Sequence, residues 1–138
     1  MMVTARREVR TRGQGDAHDI TPLVADLLAE STLAAGIAVV SVIGSTAGIT
    51  TIEFEPGAVA DLNAVFDHLA PRGADYRHHL RWGDDNGSSH VRAALLGPSI
   101  SIPFAERTLI LGTWQQLVLF EFDTRPRRRD LVVQLVGE

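Results

Sequence analysis

Apolar and polar positions change their spacing several times along the chain, and each change marks an element. Residues 3 to 12 alternate loosely between small or apolar side chains and Arg or Glu, the pattern of a solvated edge strand that Gly13 and Gly15 then break. Asp19-Ile20-Thr21-Pro22 starts a helix, with Thr21 as cap and Pro22 at the first helical position. Leu23 and Leu27, and Val24 and Leu28, fall four apart, which carries that helix to about Glu30. Gly36 to Ile43 is β-branched and apolar without alternation, as a strand buried on both faces would be. After the turn Gly44-Ser45-Thr46-Ala47-Gly48, a second apolar run covers Ile49 to Phe54.

Glu55-Pro56-Gly57 opens a second helix whose stripe is Val59, Leu62, Val65, Phe66 and Leu69, and Pro71 ends it. Residues 72–89 are polar, interrupted by glycine, and read as one long loop. From His90 onward the pattern predicts strands at 90–96, 99–104, 107–111, 114–122 and 129–136, with Trp114 in the core. Two helices early and an antiparallel sheet late make an α+β domain. At 138 residues there is room for one core and one domain, 1–138, and no linker or repeat divides it.

Composition narrows the chemistry. Cysteine is absent, which removes disulfides, thiolate nucleophiles and thiolate metal sites. All thirteen basic residues are Arg, so no lysine is available as Schiff base, general base or P-loop cation. Any anion is held by guanidinium, backbone amide or metal. A formal net charge of −4 with only short basic runs argues against a nucleic-acid partner. The first residues lack the apolar stretch of a signal peptide, and the longest apolar run, Leu33 to Ile43, falls well short of the roughly 20 residues that cross a bilayer. The expectation is a cytoplasmic protein with no membrane partner.

The densest polar constellation is Tyr76-Arg77-His78-His79 followed by Asp84-Asp85-Asn86-Gly87-Ser88-Ser89-His90. His78, His79, His90, Asp84 and Asp85 together offer the nitrogen and oxygen donors of a divalent metal site. The same side chains equally suit acid–base work without metal, or a solvated loop whose Asp and Asn cap turns. Ser45 and Thr46, in a glycine-flanked turn at strand ends, offer hydroxyls and amides to an oxyanion. Arg125, Arg127, Arg128 and Arg129 surround Pro126, and their planar forks make the best phosphate clamp in the chain. Glu53 and Glu55 share a strand face opposite Phe54.

Taken in order and spacing, Gly44-Ser-Thr-Ala-Gly-Ile-Thr-Thr-Ile-Glu53, Asp84-x-Asn86-Gly-x-Ser-His90, Leu95-Leu-Gly-Pro-Ser99, Leu111-Gly-Thr-Trp-Gln115 and Pro126-Arg-Arg-Arg129 resemble the YjbQ-like family, also described as secondary thiamine-phosphate synthases. The resemblance runs from about residue 3 to 138. It implies a twisted, partly barrel-like, mostly antiparallel sheet with two helices packed on one side, assembled as a homotrimer with its site near subunit boundaries. The activity it implies is weak: hydroxymethylpyrimidine diphosphate is joined to a thiazole phosphate with release of diphosphate. The alternative is a non-enzymatic homotrimer that binds a metal or a small anion.

By the matched motifs, Asp84, Asn86, His90 and Glu53 are the expected catalytic residues. Ser45, Thr46, Gln115, Arg127 and Arg129 are the expected contacts to a small phosphorylated molecule, and His78 and His90 the expected ligands of a divalent ion such as Zn, Mg or Mn. Many members carry His at the positions of Gly44 and Ser88, so the donor set implied for a metal is smaller here.

Overall fold

A computed structural model describes all residues from Met1 to Glu138. The chain runs β1 (Met2–Arg10), β2 (Ala17–Asp19), α1 (Thr21–Glu30), β3 (Gly36–Ile43), β4 (Ala47–Ile52), α2 (Pro56–Leu69), α3 (His78–Trp82), α4 (Gly87–Leu96), β5 (Ser99–Ala105), β6 (Thr108–Leu109), β7 (Gln116–Glu121) and β8 (Arg128–Gly137). Five strands pair in the order β1-β8-β3-β5-β6 and three in the order β2-β7-β4, every pair antiparallel. Together they form a curled half-barrel in a single α+β domain.

The turn after β3 is what divides the sheets. β3 belongs to the five-stranded sheet and β4 to the three-stranded one, so residues 44–46 carry the chain from one layer to the other instead of closing a hairpin. The main core lies between α1 and the two sheets, with Ala38, Val40 and Val42 of β3 meeting Leu131, Val133 and Leu135 of β8. A second cluster joins Phe66 of α2, Ala93 of α4 and Val118, Phe120 and Phe122 on and just after β7. The strand enclosed on both faces is therefore β7, whose alternate residues enter the two clusters. β3 buries one face only, and its outward Ile37 and Ile43 are about half exposed.

Other expectations shift for identifiable reasons. Residues 90–96 form most of α4, not a strand. The buried stripe of α4 is Ser88, Ser89, Arg92 and Ala93, so polar side chains disguise its helical period. Arg92 is enclosed by its hydrogen bonds to Ala70 O and Asp67 Oδ1, and Gly97 ends the helix at φ +99. The long polar segment contains the short helix α3. The expected strand at 107–111 shrinks to the two residues of β6. Trp114 precedes β7 in a turn and is 73% exposed.

At the start of α1 the Thr21 amide donates to Asp19 Oδ1, while the Thr21 hydroxyl accepts from the Leu117 amide, so Thr21 fastens the helix to β7 and does not cap it. α2 begins as the sequence indicates, with the Glu55 carboxylate accepting from Gly57 and Ala58 amides. Val65 and Leu69 of its predicted stripe face outward.

Candidate functional site

The site forms where the polar segment folds back over the junction of the two sheets. α3 is one and a half turns of helix, enough to turn His78 and His79 inward while Leu80 and Trp82 remain exposed. His78 Nδ1 lies 3.4 Å from Asp84 Oδ1, and His79 Nε2 the same distance from Asp85 Oδ1. α4 then places His90 in its first turn, with its ring centroid 4.4 Å from that of His78 and the planes tilted by 40°. Gly87 permits this approach, because a Cβ there would collide with the Tyr76 side chain.

Beneath the imidazole pair runs a buried polar network. Asp123 is 2% exposed and accepts from the Thr46 hydroxyl at 2.9 Å, from Asn86 Nδ2 at 3.4 Å and from the Arg125 amide at 3.3 Å. Burial alone would raise its pKa, yet these hydrogen bonds and the Arg127 guanidinium 3.5 Å away outweigh it and hold the carboxyl below its ordinary value. Arg129 continues the network: it donates to Thr46 Oγ1 and, through two nitrogens, to both oxygens of Glu121. Thr11 closes it with a 2.6 Å bond to Glu121 Oε1.

His90 is pushed below its ordinary pKa, first by burial and then by the neighbouring His78, against the opposing pull of Asp84 and Asp123. The ring is neutral at pH 7, able to accept a hydrogen bond or a proton. It lines a shallow cavity of about 280 Å³ together with Gly44, Ser45, Ala47, Ala93, Ala94 and Pro98. His78 Nδ1 and Asn86 Oδ1 are closed off from bulk solvent without a hydrogen-bond partner in the chain, so the site retains unused polar capacity.

The expected residues divide accordingly. His78, Asp84, Asn86 and His90 come together, with Ser45 on the cavity wall and Thr46 in the network below. Arg127 borders the site through Asp123 and is partly exposed. Arg129 is 2% exposed and commits Nε and Nη2 to Glu121 and Thr46, so it supports the site from beneath, with only Nη1, beside Gly44, left without a partner in the chain.

Glu53 and Gln115 lie elsewhere. Glu53 follows the far end of β4, about 20 Å of strand from Thr46. Gln115 donates to Thr51 Oγ1 and accepts from the Gly112 amide at that same end. Asp123 and Glu121 carried no motif in the sequence. Their one signal was two acids in an apolar strand and its exit, at a spacing that places both on one face.

His78, His90 and Asp84 supply metal-type donors, but no three His, Asp or Glu side chains gather closely enough to hold an ion among themselves. At Gly44 the backbone has φ +148, and a Cβ would stand 2.7 Å from Arg129 Nη1. The glycine thus keeps Arg129 in place, and a histidine there would require the guanidinium to move.

The profile of the UPF0047 protein YjbQ-like family matches residues 5–138. A UPF0047 protein of Methanocaldococcus jannaschii is 33% identical over 132 residues, covering 95% of this chain and 92% of that one. The UPF0047 protein YugU of Bacillus subtilis is 30% identical over 131 residues, 94% and 96% of the two chains. Among solved structures, a YbjQ-like protein of Sulfolobus solfataricus superimposes with a TM-score of 0.90 at 28% identity over the whole of both chains. An uncharacterised conserved protein of Clostridium acetobutylicum does so with 0.85 at 32% identity, covering 96% of this chain and 99% of its own.

Proposed function

We propose, for a chain that belongs to the YjbQ-like UPF0047 family, that the cavity beside His90 receives a small phosphorylated molecule and supports a slow transfer with loss of diphosphate. The reaction is the one the resemblance implies, the joining of hydroxymethylpyrimidine diphosphate to thiazole phosphate. The bond between the pyrimidine methylene carbon and the diphosphate oxygen breaks, and its electron pair leaves with diphosphate. The thiazole nitrogen lone pair forms the new carbon–nitrogen bond, leaving the positive charge on the thiazolium product.

The observation that carries this reading is the His90 ring set 4.4 Å from that of His78, with Asp84 against His78. Burial and His78 lower the His90 pKa, which favours its uncharged form. An uncharged imidazole edged by carboxylates tolerates a methylene that gains positive character, whereas a protonated one would repel it. In this reading Asn86 orients Asp123, and the Ser45 hydroxyl with the partly exposed Arg127 faces the departing oxygens. A divalent cation, carried by the substrate's phosphates and reached by His78, His90 and Asp84, would supply the charge neutralisation that departing diphosphate needs.

Glu53 and Gln115 join the proposal only through assembly, as contributions from a neighbouring copy in a homotrimer. The uncovered outer face of the five-stranded sheet, with Ile37, Ile43 and Val136 about half exposed, supports that assembly. The test is an end-point assay with both thiamine precursors and magnesium. Thiamine phosphate should form with the natural chain and fall at least tenfold in His90→Ala. Equal yields from the two would refute the transferase reading.

A further inference from the structure

Strands β1 and β8 pair with Arg10 directly opposite Arg128 and Glu8 opposite Asp130. Like charges face one another in both pairs, which an antiparallel ladder disfavours. The diagonal contact of Arg128 with Glu8 relieves part of this, and Arg10 Nε reaches Glu8 Oε1 only at 3.5 Å. Beyond the quartet the chain enters the Pro126 turn, which adds Arg127. Arg10, Arg127 and Arg128, with Thr11 and Pro126, line an open groove of about 400 Å³ whose walls contain no carboxylate and no large apolar side chain.

The acids flank the groove and do not line it: Glu8 and Asp130 sit two register pairs further along the same face of the sheet, and Asp123 is buried beneath Arg127. Each guanidinium carries five donors. Arg10 uses one in its long contact with Glu8, and Arg127 approaches Asp123 at 3.5 Å without a side-chain hydrogen bond. The three side chains are 76%, 40% and 68% exposed, so most of their donors face the groove or solvent. The floor is rigid: the Thr11 amide donates to Arg127 O at 2.8 Å, the Arg127 amide donates to Thr11 Oγ1, and the Thr11 hydroxyl is tied to Glu121.

We infer that this groove is a subsite for the diphosphate group of a small molecule, gripped by the forks of Arg10, Arg127 and Arg128. The inference rests on the phosphorylated-ligand reading above and gives it a location other than the enclosed Arg129. Three forks around one groove match more oxygens than a single phosphate presents, so diphosphate binds more tightly than phosphate. Arg127 ties the groove to the buried Asp123, which Asn86 also contacts from the His90 side, so one carboxylate links the two regions.

Calorimetric titration of the full chain with inorganic diphosphate tests this without turnover. Saturable binding, tighter than that of inorganic phosphate, is expected. Arg10→Gln/Arg128→Gln should weaken it about tenfold or more, and Arg6→Gln, an exposed arginine outside the groove, should leave it unchanged. Amide resonances of residues 10, 11, 127 and 128 in the natural chain should shift on the same titration, which keeps the test independent of how the variants fold. The inference is overturned if the double variant binds like the natural chain, if Arg6→Gln weakens binding equally, or if those resonances stay still. Diphosphate binding that passes while thiamine phosphate formation fails leaves the subsite standing without the transferase. The reverse outcome removes the subsite alone.

Discussion

His90 is subject to opposed influences that leave its ring uncharged. Burial and the adjacent His78 favour the neutral form, and Asp84 and Asp123 counter them incompletely. The folded chain therefore binds that proton less readily than the unfolded chain, whose histidine titrates near 6.5. Stability linked to the neutral ring is fully present above that unfolded value and is lost as pH falls through the lower folded one. Urea denaturation between pH 7.5 and 5 should show stability declining toward acid, and His90→Gln should flatten that decline. An unchanged slope in the variant would assign the acid sensitivity to other groups. The histidines, Asp84 and Asn86 were legible in sequence as a polar cluster. What the sequence hid was their support, because Asp123 and Glu121 become neighbours of Thr46, Thr11 and Arg129 only through long-range strand pairing.

At the scale of elements, the Arg129–Glu121 pair joins β8 of one sheet to β7 of the other, and Thr46 joins the crossing turn to both. Removing one partner strands a buried charge and disturbs the hydroxyls of Thr11 and Thr46 together. Arg129→Met should cost about 3–5 kcal/mol of unfolding free energy. The double variant Arg129→Met/Glu121→Gln should recover part of that loss, which a double-mutant cycle by denaturant melts would measure. A loss below about 1 kcal/mol would mean that the junction is not held by this pair.

The arginine run was visible in the sequence, but not its division. By strand parity Arg128 faces outward and Arg129 inward, so one run supplies both a groove wall and a structural tie. α4 differs from the strand its sequence suggests for a related reason. Its buried face carries Ser and Arg satisfied by distant groups, and hydrophobic periodicity cannot register a face of that kind.

For the whole molecule, the curled sheet, the single domain and strands β5, β7 and β8 followed from pattern and resemblance together. The exchange of roles between β3 and β7 did not. Both are apolar runs of similar length, and only the three-stranded sheet, lying between two core clusters, decides that β7 is enclosed. β3 keeps an outward face with Ile37 and Ile43, continued by Val136 of β8. If copies of the chain cover that face, Ile37→Glu/Val136→Glu should convert a trimer into monomers in sedimentation equilibrium. A natural chain that sediments as a monomer would remove the assembly and, with it, any role for Glu53 and Gln115.

Histidine-selective NMR during titration with hydroxymethylpyrimidine diphosphate tests the account at its centre, since the five histidines report separately on the site and its surroundings. His78 and His90 should shift together and saturate at one ligand per chain, while His18 and His68, on β2 and α2, stay in place. No saturable shift at His78 and His90, or equal shifts at all five, would contradict a phosphorylated-ligand site at the imidazole pair.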